Sequence, residues 1–224
     1  MTDLVLVRHG ETIWHAENRY TGRSDIPLTP RGREQAERLA VWAKQACPDA
    51  LWVSPLLRAR DTARPVAEAT GLEPQEDARL REVDFGRGEG LTTADMRDAF
   101  PERLAAFHAD PSHHHLPDGE RPADAVERGM ECLREIHRRH PEGRVLVVGH
   151  STLNRLLLCR LTGVPLSEYR RLFPLMRNCA ITEVRFNGAD GAADRASLLQ
   201  FNTPAEACGD FPAPSAAGPE EETP

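Results

Sequence analysis

The chain has 224 residues and a formal net charge of −7, with 28 Lys and Arg against 35 Asp and Glu. That acidic balance argues against the basic footprint by which a protein grips nucleic acid or an anionic membrane, and no apolar run approaches the length of a membrane span. The five cysteines (Cys47, Cys132, Cys159, Cys179, Cys208) are odd in number and scattered, which predicts free thiols and a cytoplasmic setting rather than a disulfide framework or a zinc site. The N-terminus lacks the basic and apolar regions of a signal peptide.

Leu4-Val5-Leu6-Val7 is a short, largely branched apolar run stopped abruptly by Arg8-His9-Gly10, the pattern of a strand buried on both faces of a parallel sheet. A polar loop spans 12–28. Thr29-Pro30 then supplies an N-cap and a proline at the first helical position. Ala36, Leu39, Ala40 and Ala43 carry an apolar stripe to about Ala46. Cys47-Pro48-Asp49 breaks that helix, and 50–53 reads as a second strand. Ser54-Pro55 repeats the cap-and-proline signal for a helix running to Ala69 and ended by Gly71. Residues 72–77 are expected at a sheet edge, because Pro74 lacks the donor that a central strand needs.

Residues 80–90 form a loop. From 92 to 140 the pattern is helical, interrupted by Pro101 and by the 111–122 stretch, and predicts an insertion (about 92–140) that lids one end of the sheet. Arg144-Val145-Leu146-Val147-Val148 is the clearest internal strand; it ends in Gly149-His150-Ser151 and passes into an apolar helix over 153–161. Residues 180–186 and 196–201 read as two strands of a hairpin joined through 187–194. The Pro-, Ala-, Gly- and Glu-rich tail, 205–224, is expected to be disordered. One domain over 1–204 follows, an α/β fold: a three-layer α/β/α sandwich with a mostly parallel central sheet and a helical lid insertion.

Two strands thus end in a histidine, His9 and His150, at the sheet edge where ligands of open α/β folds bind. Arg58 lies one turn into the helix opened by Ser54-Pro55 and faces the same rim. Arg8, His9, Arg58 and His150 would converge with helix N-termini in a positive pocket for an anion of high charge density. Guanidinium forks suit phosphate oxygens especially well. Nearby cations disfavour protonation of one histidine and keep its lone pair nucleophilic. The second, as a cation, would stabilise charge on the transferring group. An acid for the leaving oxygen is still required, and Glu82 is the first candidate, with Asp84 and Glu11 behind it.

Arg8-His9-Gly10-Glu11-Thr12 followed by Trp14, then Tyr20-Thr21-Gly22, Ser54-Pro55-Leu56-Leu57-Arg58, Leu80-Arg81-Glu82 with Phe85-Gly86 and Glu89-Gly90, and Val148-Gly149-His150 resemble, in order and spacing, the histidine phosphatase superfamily of phosphoglycerate mutase-like enzymes. The resemblance covers nearly everything from residue 3 to about 200. It implies that His9 becomes phosphohistidine, that Arg8, Arg58 and His150 hold the phosphoryl oxygens, and that Glu82 protonates the leaving group and then helps activate water. It further implies that Thr21 and Gly22 line the phosphate pocket, and that no metal or organic cofactor is needed. Ser151, beside His150, joins them as a substrate contact.

Some positions depart from that pattern. His15 stands where Asn is common, with a third phosphate contact and a solvent-facing loop imidazole as alternative readings. Gly88 stands where a Trp is usual, which would widen the pocket or soften the loop carrying Glu82. Arg121 replaces a small residue and reads either as a second-phosphate contact or as a solvated charge at a helix start. The partner expected is a small phosphorylated substrate, with no nucleic acid or membrane, and a homo-oligomer stays open. Phosphatase is favoured over mutase, because the Glu-Arg-His-Tyr-Gly-type segment and the double-Arg lid segment of mutases are not visible here. An inactive phospho-ligand-binding module is the remaining alternative. His113-His114-His115, without a carboxylate or cysteine partner, reads as a solvated loop.

Overall fold

The computed structural model describes residues 1–187 and 195–207. The strands are β1 (Thr2–Arg8), β2 (Ala50–Val53), β3 (Pro74–Glu76), β4 (Arg144–Gly149), β5 (Ile181–Phe186) and β6 (Ala196–Thr203). The helices are α1 (Pro30–Ala46), α2 (Leu57–Thr70), α3 (Thr93–Ala99), α4 (Pro101–Ala109), α5 (Pro122–Arg139), α6 (Ser151–Thr162) and α7 (Tyr169–Leu172). One sheet runs in the order β3-β2-β4-β1-β5-β6. The first four strands are parallel, and β5 and β6 close it as an antiparallel pair. Pro74 opens β3 at the edge, as its missing donor requires.

Alternation along the inner strands builds two cores. Leu4, Leu6, Trp52, Val145 and Val147 face one layer; Val5, Val7, Leu51, Val53, Leu146 and Val148 face the other. The second layer is filled by α1 and α2 through Leu39, Ala43, Ala59, Ala63 and Val66. The first is filled by α5 and α6, through Met130, Leu133, Leu153 and Leu157. Within the stretch expected to insert over the sheet, α3 and α4 contribute little more than Met96, Leu104 and Phe107 to that core. By contrast α5 buries a whole face in it.

The start of α2 differs from expectation. Its N-cap is Leu56, so Pro55 lies outside the helix, and Arg58 is its second residue. Ser54 is instead fully buried, with its hydroxyl turned towards His150. At the other end of the chain, Ala205 is buried against α1 and Glu206 lies 3.8 Å from Arg38. The expected tail thus begins with a helical turn, Ala205–Ala207, rather than disordered chain, and residues 208–224 and most of the expected hairpin turn lie outside the described residues. Among the described residues no helix is long and apolar enough to cross a membrane.

Candidate active site

The register of β1 against β4 builds the site. Arg8 pairs with Gly149, and the His9 N–H donates to the Gly149 carbonyl at 3.0 Å. The two histidines that follow these strands therefore lie side by side, ring centroids 5.2 Å apart. Both are buried. The chain can turn away after His9 because Gly10 meets Gly32 of α1 backbone to backbone: a Cβ on Gly10 would lie 2.5 Å from the Gly32 carbonyl oxygen.

His9 Nδ1 lies 2.7 Å from the Gly10 carbonyl, which can only accept, so Nδ1 carries the proton. Arg58 Nε donates to His9 Nε2 at 3.2 Å, so Nε2 carries the ring's lone pair, which Arg58 engages in the free chain. Burial, followed by the charges of Arg58, His150 and Arg8, holds His9 well below the usual histidine range. The ring is neutral and of one tautomer. Arg58 is fully buried and held by the carbonyls of Ser24 and Gly22, both at 2.8 Å. Arg8 donates to the Met176 carbonyl and to His15 Nε2, and burial lowers its guanidinium to about 10.

His150 was expected as the cationic partner. In the free chain it is neutral: burial, then Arg58, Arg128 and Arg8, press it well below its ordinary value. Its Nε2 meets the Ser54 hydroxyl at 2.7 Å, and its buried Nδ1 has no hydrogen-bond partner among the described residues. Glu82 is buried at the start of α6, where its carboxylate accepts backbone N–H groups from Thr152, Leu153 and Val83, each at 2.9 Å. It thereby serves α6 as an N-terminal acceptor from a distant loop.

Arg8, His9, His15, Thr21, Glu82 and Ser151 line a cavity of about 440 Å³, while Arg58 and His150 lie fully buried behind His9 and Gly22 is not in its wall. Of the two reserve acids, Asp84 pairs with Arg23 at 3.0 Å and Glu11 accepts from the Thr29 hydroxyl; neither lines the cavity. The Gly22 N–H is taken by the Glu89 carboxylate at 2.8 Å, so Gly22 acts here through its carbonyl on Arg58. A larger cavity, about 810 Å³, lies at the opposite ends of the strands beside Met1, Asp49 and Gly143, away from this chemistry.

His15 lines the cavity and is tied to Arg8. Its Nδ1 lies 2.8 Å from the Thr12 hydroxyl and its Nε2 receives Arg8, so both nitrogens are engaged in positioning that guanidinium. Burial, then Arg8, pushes the ring down to about 4. The missing Trp leaves no gap at Gly88: a Cβ there would lie 2.4 Å from Leu116 Cδ1 and 3.1 Å from Met96 Sδ, which fill the space. Arg121 is exposed, 3.7 Å from Asp124, and does not line the cavity. His113 pairs with Asp110 at 2.7 Å, and among the described residues no cluster of His, Cys, Asp and Glu is placed to hold a metal ion. Burial pushes the Cys159 thiol to about 11 and the Cys179 thiol to about 12, as for packed core residues.

Several further residues position these groups. Thr62 accepts the Gly10 N–H at 2.9 Å, and Asn178 donates to the His9 carbonyl at 2.7 Å from the far end of the chain. Arg128 of α5 donates to the carbonyls of Arg79, Arg81 and Glu82, fixing the loop that carries Glu82. Arg155 also lines the cavity. It had a readable signal, being the first charge in the otherwise apolar run of α6.

Residues 4–198 match the family model described as histidine phosphatase superfamily (branch 1). Phosphoserine phosphatase 1 of Hydrogenobacter thermophilus is 34% identical over 169 residues, covering 75% of this chain and 80% of that protein. A probable phosphoglycerate mutase GpmB of an Enterobacter species is 33% identical over 186 residues, covering 83% and 86%. The solved structure of a mycobacterial glucosyl-3-phosphoglycerate phosphatase superposes with a TM-score of 0.82 at 30% identity, covering 90% of this chain and 98% of that one. With a mostly parallel α/β sheet, two histidines at adjoining strand ends and these likenesses in hand, the chain belongs to the histidine phosphatase superfamily.

Proposed function

We propose that this protein is a cytoplasmic phosphomonoesterase that hydrolyses a small phosphorylated metabolite through a phosphohistidine on His9. The observation that carries the reading is the state of His9: neutral, protonated on Nδ1 through its bond to Gly10, with its lone pair on Nε2 and its ring at a cavity that Arg8 also lines. Nε2 attacks phosphorus, and the bond from phosphorus to the ester oxygen breaks. Arg8, held by the Met176 carbonyl and His15, lines the cavity where it would meet the oxygens on which charge accumulates, and Arg58, held by main-chain carbonyls beside His9, adds its charge from behind. The bound phosphate dianion offsets the cations that keep His150 neutral, so that its free Nδ1 can take up a proton and donate to a phosphate oxygen.

Glu82, in its protonated form, gives the leaving alkoxide a proton. It then takes one from the water that attacks the phosphohistidine, releasing inorganic phosphate and restoring His9. Ser151 and Thr21 complete the wall around the phosphate. The likeness to a probable phosphoglycerate mutase supports a second reading, in which another hydroxyl replaces water at that last step.

Acid quench with a labelled phosphomonoester is expected to trap phosphate on His9. The His9→Ala variant is expected to lose activity by a factor on the order of 10³ or more with folding intact. A variant that keeps most of its activity would refute the mechanism. With 3-phosphoglycerate, primer-dependent isomerisation faster than phosphate release would favour the mutase.

A further inference from the structure

Val53 of β2 pairs with Val148 of β4, and the Ser54 N–H donates to the Val148 carbonyl at 3.0 Å. The residue that follows β2 is thereby set beside His150, which follows β4. A serine before a helix usually caps it. Here α2 opens at Leu56, and Asp25 takes the Leu57 N–H at 2.7 Å from a distant loop. The Ser54 hydroxyl is released from that duty and meets His150 Nε2 at 2.7 Å. Its one other hydrogen bond among the described residues is long, from the Leu56 N–H at 3.4 Å.

Ser54 and His150 are both fully buried, and neither lines the cavity. The charged and titratable groups around His150 are Arg8 and His9 at the end of β1, Arg58 on α2, Arg128 on α5 and Glu82 beside the first turn of α6. None of them bonds to the ring: Ser54 is its one hydrogen-bond partner among the described residues.

An imidazole that becomes a cation carries two N–H donors, and each needs an acceptor when buried. A phosphate oxygen is the acceptor for Nδ1 in the mechanism above, and Ser54 Oγ is the acceptor that the fold supplies for Nε2. A hydroxyl suits the task because it accepts without bringing a negative charge. A carboxylate there would hold the ring cationic before any substrate arrived. Alanine there would leave a buried, charged donor unmet. Burial and the charges of Arg58, Arg128 and Arg8 keep the ring neutral in the free chain, and an arriving dianion reverses that balance.

We propose that Ser54 is a positioning residue whose hydroxyl lets His150 become a cation only while phosphate is bound. Nε2 donates to Ser54 Oγ, a proton from solvent adds to Nδ1, and Nδ1 donates to the phosphate oxygen. The role rests on the phosphatase reading for the acceptor at Nδ1. Ser54 thereby governs charge at the site from behind the cavity wall.

The test is nitrogen-15 NMR of the His150 ring, titrated with pH in the presence and absence of saturating inorganic phosphate, with a His150→Gln variant to assign the signals. In wild-type enzyme phosphate is expected to raise the His150 protonation midpoint by about one pH unit or more and to leave both ring nitrogens protonated. Ser54→Ala is expected to lose about half of that rise or more, and so is Ser54→Cys, whose thiol is similar in size but a weak acceptor. Both variants are expected to bind phosphate about tenfold more weakly at low pH, with the deficit closing as pH rises above the wild-type bound-state midpoint. No phosphate-dependent rise in wild-type enzyme, an equal rise in the variants, or a deficit of one size at every pH would overturn the role of Ser54. A rise that depends on Ser54, in an enzyme that traps no phosphohistidine, would refute the phosphatase reading and leave the role of Ser54 standing.

Discussion

At the scale of single residues, the site depends on hydrogen bonds that fix charge and tautomer before any substrate arrives. His9 owes its reactive state to one carbonyl acceptor on Nδ1 and to a cationic, desolvated setting. His15 acts one step removed, as the acceptor that aims Arg8. Replacing it with alanine leaves a buried donor of a charged group unmet, a loss of about 2 kcal/mol. His15→Ala is therefore expected to raise the inhibition constant of inorganic phosphate by roughly tenfold or more, and His15→Asn, whose amide oxygen also accepts, to recover most of it. An unchanged inhibition constant in His15→Ala would show that Arg8 needs no such support.

At the scale of elements, the loop after β1 is placed by α1. Gly32 lies in the first turn of that helix, where helix propensity favours alanine over glycine by about 1 kcal/mol. Packing points the other way, because a Cβ at Gly32 would lie 2.1 Å from the Glu11 carbonyl oxygen, a backbone atom with little room to yield. Overpacking of this kind costs about 1–3 kcal/mol and moves the backbone. Gly32→Ala is expected to lower the Tm and to reduce phosphatase activity by more than tenfold, since Glu11 is two residues from His9. A variant with a raised Tm and full activity would show that propensity outweighs the contact. Glu82 couples two further elements: it accepts from the N-terminus of α6, and Arg128 of α5 secures its backbone. The acid is thereby tied to the helix that follows His150.

For the whole molecule, the two buried histidines link stability to pH. Both are held well below their unfolded value of about 6.5. The unfolded chain then binds more protons than the folded one below about pH 6.5, so stability is fully present above that pH and is lost as pH falls. Each histidine contributes a slope of about 1.4 kcal/mol per pH unit in that window. Urea unfolding at pH 7 and pH 5 is expected to show a marked loss at the lower pH, reduced in a His150→Gln variant. Equal midpoints at the two pH values would exclude the linkage.

Strand ends, helix periods and the ordered motifs were readable from local pattern, because an apolar run that stops at Arg8-His9 or at Gly149-His150 carries its own signal. The same patterns pointed to His9, Arg58, Glu82 and His150, and the fold brings His9 against both Arg58 and His150. What escaped local reading came through space. Asn178 reaches the His9 carbonyl from 169 positions away, Leu116 and Met96 fill the place of the missing Trp, and Ser54 turns from capping α2 to meeting His150.

The sequence by itself determined the fold class and the sheet edge at which the two histidines lie, since those follow from short-range periodicity and spacing. The tertiary structure alone decided the protonation of the two histidines and the role of His15. Each of those depends on burial and on the charges that distant segments bring within a few ångströms, and no stretch of sequence carries that information.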